Sequence, residues 1–136
     1  MIYLLELYVL IGTLFLAGKD ATSYLLKTTF SRDSLTLDRI KRWHRDGAIL
    51  WLLYVIAAAY IAKDQWWFIL ISSGLIRLSI FDLAFNKWAN LDIHHLGSTA
   101  AFDKFFSGIF GTKGAIKKSL FFFITLIVFN VVKLFI

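Results

Sequence analysis

Cysteine and proline are both absent from the 136 residues. Without cysteine there is no disulfide, no thiolate nucleophile, no Cys-ligated zinc and no iron–sulfur cluster. Without proline, no helix carries the kink that this residue imposes. Charge is scarce as well: 18% of the residues are Asp, Glu, Lys or Arg, against about 25% in soluble domains, and 59% are hydrophobic against about 45–50%. Such a chain is not disordered, and a mean hydropathy of +0.70 argues against a soluble globular domain. Acidic residues are outnumbered nine to fifteen by Lys and Arg, for a formal charge of +6. In a soluble protein that excess would suggest nucleic acid. With this apolar content and no stacking module, the expected partner is a lipid bilayer with anionic headgroups, and no nucleic acid.

Sequence signatures of enzymes are missing too. There is no HExxH, HxxxH or DxxxD pattern, no GxSxG, no Walker A loop and no GxGxxG. No catalytic residue, metal or cofactor is therefore assigned. Neither an internal repeat nor a Gly/Ser linker divides the chain, so residues 1–136 are read as a single integral membrane domain.

What the chain does contain is four apolar runs, at 2–17, 47–62, 66–85 and 119–136. Each approaches the roughly 20 helical residues that cross a hydrocarbon core about 30 Å thick, once interfacial flanks are counted. No basic stretch precedes the first run, so a retained span is expected there rather than a secretory signal. The expected fold is an all-α polytopic membrane helix bundle of about four transmembrane helices, with interfacial amphipathic helices. Twelve of the fifteen basic residues fall in two connecting segments, 18–46 and 86–118. Because short Lys/Arg-rich loops stay cytoplasmic, both segments should lie there and both chain termini on the opposite side.

Neither segment reads as a bare connector. Leu37, Ile40, Trp43 and Gly47 approximate a helical stripe, which predicts that 36–46 continue helically into the second span, with Ser34 or Thr36 as cap. Arg39, Lys41, Arg42 and Arg45 around that stripe, with Lys117 and Lys118, are the expected contacts to lipid headgroups. Phe102, Phe105, Phe106, Ile109 and Phe110 share one face of an amphipathic helix, capped by Ser98 or Thr99 and ending at Phe110.

Polar residues inside the spans set the candidate site. Arg77 lies near the midpoint of the third run, where a charge requires a partner, and Glu6 on the first run is the expected one. Asp82 and Asn86 are four residues apart on one helix face, which suggests a second polar site near the cytoplasmic surface. His44, His94, His95 and Asp103 could approach the same surface, but adjacent His94 and His95 point in different directions and their ordinary role is interfacial hydrogen bonding.

The stretch RLSIFDLAFNKWANLDIHHLGSTAAFDK at 77–104, with Arg42-Trp43-His44-Arg45, resembles small uncharacterised integral membrane proteins of Bacteroidota and their phages. The resemblance implies an inner-membrane location, admits a phage-encoded protein, and implies a polar site built from Arg77, Asp82, Asn86, the LGST segment and Asp103. It supplies no activity. The expected function is a non-enzymatic, multi-pass inner-membrane interaction protein that engages anionic lipid and a membrane-protein partner or a second copy. A holin-like or small-solute pore lined by Arg77, Glu6 and Asn130 is the first alternative, and a lipid-active enzyme the second.

Overall fold

The computed structural model describes the backbone of residues 1–30, 34–96 and 101–135, and the side chains of 1–26, 45–96 and 104–135. Its regular structure is entirely helical: α1 (Ile2–Phe30), α2 (Ser34–Ala62), α3 (Trp66–Trp88), α4 (Ala101–Phe110) and α5 (Ala115–Lys133), with a 3₁₀ turn at Lys63–Gln65. Among the described residues, three runs are long and apolar enough to cross a membrane: Ile2–Leu26, Arg45–Trp88 and Ala115–Lys133.

The middle run is 44 residues long and contains two helices. Lys63 adopts φ 52°, a left-handed conformation that interrupts the helical ladder, and α3 then folds back along α2. The contacts fix this geometry. Ala62 and Trp66 flank the turn, while one end of Trp51 lies under Arg77, whose guanidinium carbon is 5.0 Å from the ring centroid. The α1–α2 pair is antiparallel as well: the Tyr8 ring is 5.2 Å from that of Tyr54, Trp51 Nε1 donates to Thr13 Oγ1 at 3.2 Å, and Gly47 approaches Asp20. Between α3 and α5, Asp82 meets Lys118 at one end and Phe68 stacks on Phe129 at the other, with centroids 4.7 Å apart.

These registers describe an up-down-up-down bundle in which α1 runs parallel to α3 and α2 parallel to α5. Both termini and the 3₁₀ turn lie at one end, the termini end. The C-terminal ends of α1 and α3 and the N-terminal ends of α2 and α5 lie at the other, the connector end. Helix α3 packs on α1, α2 and α5 and forms the hub. The main core joins Ile2, Leu5 and Val9 of α1 to Val55, Ala58, Ala59 and Ala62 of α2 and to Phe68, Ile69 and Ile76 of α3. Small Ala side chains on α2 permit the close backbone approach that helix pairs use where lipid supplies no hydrophobic drive.

Several boundaries differ from those the sequence suggests. Helix α1 continues past residue 17 to Phe30, because Asp20 is covered by α2 at Gly47 instead of marking a water-exposed end. Helix α5 begins at Ala115, ahead of residue 119, because Lys118 is neutralised inside the bundle. As the sequence predicts, α2 starts early and carries 36–46 continuously into the apolar run, and α4 stops at Phe110, followed by Gly111 at φ 81°. The α4 residues do not all face one way, however. Phe106 and Phe110 pack on Phe122 and Phe121 of α5, while Phe105 and Ile109 remain exposed. The proposed caps Ser98 and Thr99 lie outside the described residues.

Candidate functional site

Fixed polar groups occur at two levels of the bundle. Toward the connector end, α3 presents Arg77 and Asp82, α1 presents Asp20, and α5 presents Lys118. The Arg77 guanidinium lies between rings, 5.0 Å from the Trp51 centroid and 4.5 Å from that of Phe81. Asp20 and Asp82 are the acids whose charge acts on it, and its Nη1 is buried without a hydrogen-bond partner among the described residues. A guanidinium with two aromatic faces is held by the rings' quadrupoles, which attract a cation but accept no directed hydrogen bond.

Glu6 belongs to the other level. Its Oε1 accepts from Asn130 Nδ2 of α5 at 3.4 Å, and the Lys133 ammonium, whose charge interacts with that of Glu6, sits 4.0 Å from the Phe68 centroid. The expected Glu6–Arg77 pair is therefore not formed. Register is the reason. Trp51 touches both Thr13 and Arg77, so Thr13 marks the level of Arg77 on α1. Glu6 is seven residues nearer the terminus, roughly 10 Å at 1.5 Å per residue, beyond the span of an arginine side chain.

Lys118 is a second correction. The sequence places it among lipid headgroups beside Lys117, but its side chain is only 7% exposed, it pairs with Asp82, and its ammonium lies 4.8 Å from the Phe106 centroid. Only Lys117 of the two is exposed. Since a helix turns about 100° per residue, adjacent lysines cannot share an environment. A signal was present: Ala115, Lys118, Ser119 and Phe122 recur at helical spacing, and this is the face α5 turns inward.

Asp82 and Asn86 also part company. Asn86, 2% exposed, donates from Nδ2 to the carbonyls of His95 at 2.6 Å and Ile93 at 3.4 Å, and its own backbone carbonyl accepts from Leu91 N–H at 2.9 Å. The loop after α3 is tied further by Leu96 N–H to the Thr112 carbonyl and Ala115 N–H to that of His94. Asn86 thus closes the loop and does not complete a site with Asp82. His94 and His95 have exposed side chains, and the His94 backbone N–H donates to Asp92 Oδ1 at 3.0 Å. No group of three or more His, Asp or Glu with metal-binding proximity occurs among the described residues.

Of the basic residues assigned to headgroups, Arg45 is exposed and 3.5 Å from Asp46 Oδ1. The side chains of Arg39, Lys41, Arg42, His44 and Asp103 lie outside the described residues. Sequence reasoning missed Asp20 and the buried serines of α3. Ser72 and Ser79 return their hydroxyls to the carbonyls of Ile69 and Ile76, so they are polar in composition but satisfied within their own helix.

No protein-family model, curated protein or solved structure matches this chain.

Proposed function

We propose that this chain is a four-span inner-membrane protein that acts without catalysis, through contacts with anionic lipid and a membrane-embedded partner, with both termini non-cytoplasmic and its two basic segments cytoplasmic. The observation that carries this reading is the use made of the polar side chains. Asp82 answers Lys118, Asn130 answers Glu6, Asn86 answers loop carbonyls and Thr13 answers Trp51, so these groups hold helices to one another. The outer side of α5 supports the interaction role. Phe123, Ile124, Ile127, Val128 and Val131 are exposed along it, away from the side on which α5 packs against α3 and meets Glu6 of α1.

Site-specific photo-cross-linkers at Phe123 and Ile127, compared with one at buried Ala115, test the reading in native membranes. The expected result is a discrete protein adduct from the two outer positions alone, together with reconstituted vesicles no leakier to ions than empty ones. Lipid adducts alone would reject the interaction role. Ion leakage abolished by Arg77→Leu would replace it with a pore.

A further inference from the structure

Beside the 3₁₀ turn, α2 and α3 diverge to leave a groove of about 550 Å³ lined by Ile56, Ala59, Tyr60, Lys63, Trp66 and Leu70. Its volume falls within the range of about 300–1,000 Å³ typical of small-molecule sites. The chemistry along it is graded. Away from the turn its walls are wholly apolar, made by Ile56, Ala59 and Leu70, whereas the end at the turn carries the Lys63 ammonium with Tyr60 and Trp66, aromatic types suited to the headgroup level. Ile56 lies seven residues below Lys63 on the helix, roughly 10 Å along its axis, so the apolar floor runs parallel to the acyl chains of a bilayer.

One further feature favours an anion at the turn end of the groove. Lys63 is held at φ 52°, an uncommon conformation for a residue with a side chain, and its ammonium makes no ion pair among the described residues. Asp64, its neighbour in the turn, does not line the groove.

We propose that this groove binds one anionic phospholipid, its acyl chain on Ile56, Ala59 and Leu70 and its phosphate at Lys63. The match is of an amphiphile to an amphiphilic slot: apolar floor, cationic lip. This inference rests on the reading that α2 and α3 cross a bilayer.

The test is native mass spectrometry of the full chain released from nanodiscs made of equal phosphatidylglycerol and phosphatidylcholine. Wild type should retain one lipid, with phosphatidylglycerol favoured roughly fivefold, the ratio expected of one basic residue at a charged surface. Lys63→Gln should keep the lipid but bring the ratio near one. Ile56→Trp, at an exposed position that disturbs no core packing, should lose the lipid. Lys133→Gln, outside the groove, should change nothing. Retention of no lipid, a preference indifferent to Lys63→Gln, bound detergent alone, or a second copy occupying the groove would each overturn the inference. Normal insertion without lipid preference would sink this site and leave the bilayer reading intact. Failure to enter the disc would sink both.

Discussion

Lys118 and Asp82 form a buried ion pair whose value depends on both members being present. Removing one partner leaves an uncompensated charge, at a cost of about 3–5 kcal/mol, whereas replacing both with apolar groups of similar volume is close to neutral. Lys118→Met should therefore lower the unfolding free energy in a fixed detergent by about that amount, and Asp82→Leu added to it should recover most of the loss. A double variant no better than the single would show that the pair contributes nothing specific. Arg77 is held differently. Its two aromatic faces contribute about 0.5–2 kcal/mol, and its charge also acts on Asp82 and on Asp20, which is buried under α2. Arg77→Leu should insert normally but lower the same unfolding free energy, because it removes the cation that acts on the buried Asp20 carboxylate. The polarity of these residues is legible in the sequence, but their partners are not. A carboxylate such as Glu6 can meet any cation at its depth, and depth depends on helix offsets of a few residues that composition does not encode.

At the scale of the element, close approach between α1 and α2 is set by Gly47, where an added Cβ would stand 3.2 Å from Asp20 Oδ1. Gly74 on the hub helix has nothing within 4 Å of such a Cβ. Gly74→Ala should thus be neutral or gain up to about 1 kcal/mol from helix propensity, while Gly47→Leu should separate α1 from α2 and lower the melting temperature. Equal effects of the two would contradict the assigned α1–α2 register. The loop after α3 hangs on one side chain. Asn86→Ala removes both of its bonds to the carbonyls of Ile93 and His95, so limited proteolysis within 91–96 should become faster while the helices stay intact. The helices themselves were readable. An apolar run without proline and the Leu37-Ile40-Trp43 stripe predict α2's early start, and Gly108, Gly111 and Gly114 predict α4's stop at Phe110. Less readable was how far α1 continues, because Lys19 and Asp20 look like the end of a span until α2 covers the acid.

For the whole molecule, the absence of cysteine makes single introduced cysteines clean topology probes. Substitutions at Tyr3, Lys63 and Leu134 at the termini end should react with an impermeant maleimide in intact cells. Those at Lys87 and Lys113, at the connector end, should react only after permeabilisation. Reaction of both sets from one side would overturn the four-span arrangement. The sequence by itself determined the solvent and the fold class: 59% apolar residues, long apolar runs and a basic bias concentrated in two segments leave an all-helical membrane chain as the physically consistent outcome, because backbone groups in lipid must be satisfied within the helix. Only the tertiary structure decided which charges meet. Ion pairs such as Asp82–Lys118, 36 residues apart, depend on the register of α3 against α5, and that register is set by packing, in particular the stacking of Phe68 on Phe129, instead of by any local pattern.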